Sequence, residues 1–545
     1  MPNKPQRFWL AAFLVAWAVD LLFWQKSVGL SFLIFVLLVL AGAFFFSTTE
    51  GVRPAKLSYV LVGLMLVMTS LTLLRNEGFS RFVNAATALA GLGLLAMTFR
   101  TGSWVRFRLF DYVLTAFAMV AAAAGGAVGL RLGPETKEGE GKSEGAGRKA
   151  LRDSLPVMRG LLLALPVVLV LGGLLASADA VFADRLENFF KLFDLDRLPE
   201  YMFRLFYVMV LAYAFAGLYR QSMYSIPWLG FTPGNPEALA EKGGLNSRIK
   251  PFLGATEAFI ILGAVNLLFA FFVIVQFQYF FGGETNINVQ GYTYSEYARR
   301  GFGELVMVAV LSLLLYLVLN AVTKRETPMQ YRAFTGLGVL LVVLVLVMLV
   351  SAFQRLLLYE SAYGFTSLRT YTHIFIPWLG FLLLGTIVMQ ILRREEYFGA
   401  LLLFTSFGFA LTFGLLNIDG MMVRLNVARA MAGQELDGQY LATLSDDAIP
   451  SMVEAYNSPQ RLPDDVHDQL GAALSCKAYW IEKEKEQEQG WLERFAEYHP
   501  GREQARGALN SADLSAYPVK VLQYDGPIVG LNGNQFSCSG ARFMD

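Results

Sequence analysis

The chain has 545 residues, is 55% hydrophobic and only 16% charged, and carries a formal net charge of +1. Soluble globular chains carry about 25% charged residues, so a single soluble domain is excluded, as is a disordered chain, which needs low hydrophobicity. No basic excess exists to neutralise phosphates, which argues against nucleic acid as a partner.

A helix needs about 20 apolar residues to cross a hydrocarbon core of about 30 Å. Such runs lie at 8–24, 28–47, 57–74, 80–99, 109–130, 156–177, 201–219, 252–281, 301–322, 334–354, 366–392 and 397–416. They are too long for buried strands and do not alternate as barrel strands do. Lys4 and Arg7 precede the first run as in a signal peptide, but no small-x-small cleavage site follows, so it reads as a retained anchor. The expected fold is all-α, a polytopic transmembrane bundle of about 11–13 helices with a small soluble C-terminal domain.

Four regions follow in chain order: N-terminal membrane helices at 1–130, a flexible charged linker at 131–155, a core membrane bundle at 156–416 and an acidic tail at 417–545. The tail carries 11 basic and 19 acidic side chains and is expected to be mostly helical, with one helix from Asp464 to Tyr498, a shorter one after Pro500, and loop or short strands from Tyr517.

Lys and Arg in short loops mark the cytoplasmic side. From the sixth run onward, the loops 131–155, 220–251, 323–333 and 393–396 are the basic ones. That puts them in the cytoplasm and the tail outside, in a plasma membrane. The first half votes the other way. Its N-terminus and the loops holding Arg53, Lys56, Arg100, Arg106 and Arg108 outweigh those holding Lys26, Arg75 and Arg81. Both halves cannot hold with five crossings before residue 131, so one early segment has to stop short of crossing or be re-entrant. Both cysteines, Cys476 and Cys538, lie in the tail. In an oxidising compartment they can close a disulfide; in the cytosol they are free thiols.

Ionisable groups inside a bilayer are costly and each needs a reason. Asp20, late in the first run, reads as hydrated near the interface. Glu257 and Asn266 share the eighth run, where they either bond neighbouring helices or line a solute cavity. Glu296, Arg300 and Glu304 fall at i, i+4 and i+8, one charged ridge in which Arg300 can pair both carboxylates, with Tyr294 at the interface beside it. Ser351, Arg355 and Tyr359 share a face, as do Thr366, Arg369 and His373, just before Pro377. Together these residues can bind an anionic headgroup or a small solute, or can pair with Glu296, Glu304 and Glu360. No metal site is expected, because no His/Cys/Asp cluster has ligand spacing, and no cofactor motif is present.

There is no phosphate-binding loop, no His-Glu-x-x-His and no Gly-x-Ser-x-Gly. Ile226-Pro-Trp-Leu-Gly-Phe231 recurs as Ile376-Pro-Trp-Leu-Gly-Phe381, but the flanking hydropathy differs, so the match reads as coincidence and not a duplicated half. Leu174-Leu-Ala-Ser-Ala-Asp179, Glu257 with Phe280-Phe-Gly-Gly283, Tyr294-Ser-Glu-Tyr-Ala-Arg-Arg-Gly-Phe302 with Glu304, Arg355 to Tyr359 with Tyr363-Gly364, and Asn417 to Arg429 together carry a family resemblance. Over about 156–450 the chain resembles an uncharacterised bacterial membrane family, domain of unknown function 4173, close to the one numbered 4153. The resemblance implies a multi-pass membrane protein and supplies no activity.

The expected function is a transporter-like one, with a scaffold or sensor and an intramembrane enzyme as alternatives. A transporter-like protein handling a solute or lipid would use a polar site near the outer surface, built from Glu257, Asn266, Arg300, Glu304, Arg355 and Arg369. A non-catalytic scaffold or sensor would use the acidic tail to bind a protein partner. An intramembrane enzyme would use Glu257 or Glu304 as base and His373 as proton shuttle; the missing motifs weigh against it.

Overall fold

The computed structural model describes residues 4–107, 109–130, 198–226, 251–281, 302–394, 397–459, 462–487, 490–522, 526–531 and 534–539. Among them, 11 helices are long and apolar enough to cross a membrane. They are α1 (Pro5–Phe23), α2 (Leu30–Thr49), α3 (Lys56–Leu74), α4 (Gly78–Thr98), α5 (Leu109–Gly125, continued by a 3-10 turn), α6 (Leu198–Tyr224), α7 (Ala255–Phe281), α8 (Phe302–Val322), α9 (Pro328–Tyr363), α10 (Ser367–Ile391) and α11 (Phe398–Leu415). The run at 156–177 and the linker at 131–155 lie outside the described residues.

Local chemistry sets several of the helix ends. Glu77 caps α4 by accepting from the backbone N–H groups of Phe79 and Ser80. Thr327 and Gln330 form a capping box ahead of α9, with Pro328 in its first turn. Gly364 ends that helix at φ +83°, a conformation that favours glycine. At 36 residues α9 is about 54 Å long, more than a bilayer core needs. Pro377 sits inside α10, which continues through it from Ser367 to Ile391.

The tail comprises α12 (Ile418–Met431), α13 (Gly438–Thr443), α14 (Ile449–Tyr456), α15 (Asp464–Gln487), α16 (Trp491–Ala496) and α17 (Pro500–Leu509), followed by β1 (Val519–Leu522), β2 (Gly526–Leu531) and β3 (Asn534–Ser537). The strands form one antiparallel sheet in the order β1-β2-β3, with Val519 opposite Val529 and Val529 opposite Phe536. The helix expected from Asp464 to Tyr498 is broken into α15 and α16 around Gly490, whose φ is +90°. Cys476 on α15 and Cys538 after β3 are joined by a disulfide.

The tail defines one face of the bundle. Ser27 and Leu30, in the α1–α2 turn, donate backbone N–H groups to Glu497 Oε1 at 2.9 Å and to Tyr498 O at 3.1 Å. Asn76, between α3 and α4, and Phe365, between α9 and α10, donate to Asp447 and Asn426. These turns share the tail face. The alternate turns share the far face: Ala55 N–H bonds Phe99 O at 3.0 Å, and Leu253 pairs with Thr323 ahead of α9.

One core joins α1–α4 with α6 and α11, another joins α7–α11, and a third fills the tail. Helix α11 contributes to all three, through Phe407 and Ala410, Phe398 and Leu401, and Phe413 respectively.

Candidate functional site

Glu257 and Glu304 both occupy first turns, of α7 and α8. Consecutive spans run in opposite directions, so their first turns lie at opposite faces. Leu253, next to Glu257, pairs with Thr323 at the far end of α8, about 28 Å along that axis from Glu304. The structure therefore splits the constellation expected from the sequence. Glu257 accepts from Gly254 N–H at 2.8 Å and caps α7 on the far face. Asn266, buried in the bundle, donates to Leu337 O on α9 at 3.0 Å, and Gln276 is bonded by Ser351 across the same two helices. These are interhelical bonds of the kind that hold bundles together. Glu304 is exposed. Tyr294, Glu296 and Arg300 lie outside the described residues.

Helices α9 and α10 do bring Arg355, Tyr359, Arg369 and His373 to the tail-face end of one hairpin. Arg369 donates to Gly364 O at 2.6 Å, and its guanidinium carbon lies 4.0 Å from the Tyr359 ring centre. His373 Nδ1 lies 3.1 Å from Glu360 Oε2. Glu360 is buried and its other carboxyl oxygen has no hydrogen-bond partner. Asp20 is not hydrated as expected: it is 6% exposed and takes two hydrogen bonds from Arg204, at 2.9 and 2.6 Å, and one from Tyr207.

A second polar cluster forms the joint between tail and bundle. Asp447 Oδ2 accepts from the N–H groups of Asn76 and Glu77 at 2.8 and 3.2 Å. Asp446 accepts from the Asn76 side chain at 3.1 Å and lies 3.6 Å from Arg502. Asp419 accepts from Ser445 N–H at 2.7 Å, while its second oxygen is buried without a partner. Burial pushes the Asp419 and Asp447 carboxyls up to about 6. Buried Lys477 donates to Leu444 O and is lowered by burial to about 8. His499, buried beside Arg75 O, is lowered to about 4, by burial first and by Arg81 second.

The tail also grips the α9–α10 turn. The Asn426 side chain accepts from Phe365 N–H and donates to Phe365 O, both at 2.9 Å. Arg429 donates to the carbonyls of Ser361 and Ala362, and Tyr440 OH accepts from Ser367 N–H. The sequence supplied one signal for this cluster, the Asn417 to Arg429 motif. It could not reveal that the motif clasps turns far away in the chain.

Two cavities are notable. One of about 280 Å³ is apolar and lies among Phe35, Leu40, Leu92, Met119, Phe215 and Tyr219. The other, of about 410 Å³, lies at the tail surface beside Met431, Leu462, Pro463 and Asp464. Among the described residues no group of His, Cys, Asp and Glu could hold a metal ion.

Apolar helices of this length and number define a multi-pass membrane protein. A family model described as Domain of unknown function (DUF4153) matches residues 58–455, and the chain belongs to that family. The family numbered 4153 is thus the one that matches, over a stretch beginning well before the part that resembles 4173. The match takes in the grip and the Asn76, Glu77, Asp419, Asp446 and Asp447 part of the joint and ends in α14, so Lys477, His499, Arg502, the disulfide and the sheet lie beyond it. No curated protein and no solved structure matches the chain.

Proposed function

We propose that the protein is a membrane-embedded scaffold or sensor of the plasma membrane, with its acidic tail outside as the module that binds a protein partner. The observation that carries this reading is the joint. Buried Asp446 and Asp447, with Asn426, Arg429 and Tyr440, fix the tail to helix turns spread across the bundle. A tail held in that register transmits a binding event to the helices, and one that opened a transport path would have to break buried hydrogen bonds. Exposed Arg53, Lys56, Arg106, Arg393 and Arg394 on the far face favour a cytoplasmic far side. The disulfide favours an oxidising side for the tail.

Photocrosslinkers placed at exposed Glu486 and Glu503 in intact cells test the partner. A discrete adduct, lost on converting neighbouring acidic residues to lysine, is expected. Failure to form any adduct, together with lipid or solute flux in proteoliposomes, overturns the reading.

The apolar 280 Å³ cavity favours a second reading, lipid handling, with Arg355 and Arg369 as candidates to meet an anionic headgroup or small solute. Lipid scrambling by the purified protein in vesicles, faster than in protein-free vesicles, would establish it.

A further inference from the structure

Helix α5 is long and apolar enough to span, yet its two ends lie on the same face. At its start, Tyr112 OH donates to Trp104 O at 2.6 Å, and Phe107 O lies against Gly399 in the first turn of α11, on the far face. Midway, Met119 packs on Gly93 and Ala118 packs beside Met97, both near the far end of α4. At its close, Ala122 and Gly126 pack on Gly217 of α6, and Arg220 donates to Gly126 O at 2.6 Å. Gly217 is about 28 Å along α6 from the tail-face residue Leu198. Just beyond α5, Leu130 O accepts from Trp9, near the far-face start of α1. A straight helix whose start, middle and end all touch far-face ends of other helices does not reach the tail face.

We propose that α5 does not cross the membrane but lies within the far-face leaflet as an interfacial helix, seated against anionic lipid. Its exposed side is an apolar stripe of Val113, Phe117, Val120 and Val128, with Phe117 67% and Val128 75% exposed. The opposite side is buried on the bundle through Ala118 and Ala122. Apolar stripes of this kind seat in the acyl region just below the headgroups. Exposed Arg106 ends the 3-10 turn that leads into α5, the start of α3 packs beside that turn, and exposed Arg53 and Lys56 lie on the same face, so these residues supply charge that complements anionic headgroups.

The assignment removes the conflict between the two halves of the charge pattern. With α5 not crossing, the N-terminus, Arg53, Lys56, Arg100 and Arg106 fall on the same face as Lys324, Arg325, Arg393 and Arg394. Leu130 lies on the far face, beside Trp9, and the start of α6 lies on the tail face, where Glu200 accepts from Trp24.

Two measurements test this, and neither depends on which face is cytoplasmic or on the tail having a partner. The first labels Thr101→Cys and Ser143→Cys, before and after α5, with an impermeant maleimide in right-side-out and in inverted vesicles. The two are expected to react from the same side, and reaction from opposite sides overturns the proposal. The second places an environment-sensitive fluorophore at Val113→Cys or Val128→Cys and quenches it with lipids carrying a nitroxide at shallow or deep positions. Equal depth at the two sites is expected; a depth difference approaching the ~22 Å of helix between them overturns the proposal. Nitroxide-labelled phosphatidylglycerol should quench the reporters at least about twofold more than labelled phosphatidylcholine. Equal quenching overturns the anionic part.

Discussion

Asp20 and Arg204 are 184 positions apart in sequence and form a two-bond ion pair inside the bundle, with Trp24 stacked on Tyr207 beside it. Breaking a buried pair by removing one partner leaves a charge without compensation and costs about 3–5 kcal/mol. Arg204→Met is therefore expected to destabilise by about that amount. Asp20→Leu combined with Arg204→Met should recover most of the loss, as read by thermal unfolding in micelles.

The joint titrates in a calculable way. Asp419 and Asp447 hold their protons to about 6 when folded against an ordinary 3.8, so each loses stability as pH rises from about 4 through 6. His499 runs the opposite way: at about 4 against 6.5, it loses stability as pH falls from 6.5 through 4. Two carboxyls outweigh one imidazole, so tail docking should weaken as pH rises from 4 to 6. His499→Gln should steepen that fall, measured by hydrogen exchange at the α3–α4 turn across the pH series.

At the scale of elements, close approach is decided by glycine. A Cβ on Gly217 would meet Ala122 O at 2.2 Å, whereas one on Gly63 of α3 meets nothing within 4 Å. Gly217→Ala should push α5 off α6 and cost about 1–3 kcal/mol. Gly63→Ala should be neutral or stabilise by up to about 1 kcal/mol. Thermal unfolding of the two variants side by side checks the contrast.

The same elements show what was legible in the sequence. Hydropathy located the helices, because burial in lipid is a local property of about 20 residues. It could not orient α5, since a transfer energy has no direction along the membrane normal. The loop charges registered that something was wrong before residue 131 without naming the helix. The grouping of Glu257 with Glu304 missed that consecutive spans alternate, which puts their first turns at opposite faces. Glu360, the partner of His373, was within reach of spacing arguments; Arg204, the partner of Asp20, was not.

For the molecule as a whole, the disulfide spans a sequence separation of 62 residues that takes in α16, α17 and the whole sheet. In the chain-entropy picture such a closure contributes about 4 kcal/mol. Reduction, or Cys538→Ser, should lower the urea midpoint of the tail's unfolding by a corresponding amount and leave the helical circular dichroism of the bundle unchanged.

The bonds from Ser27 and Leu30 to Glu497 and Tyr498, and from His499 to Arg75 O, have a consequence for biosynthesis. The turns after α1 and α3 take these bonds from residues synthesised 470 and 424 positions later. The helices they connect must wait while that length of chain is made before those bonds can form. A chain that stalls short of Glu497 leaves the turn after α1 without these partners, so quality control has a surface by which to tell a stalled copy from one that has closed it.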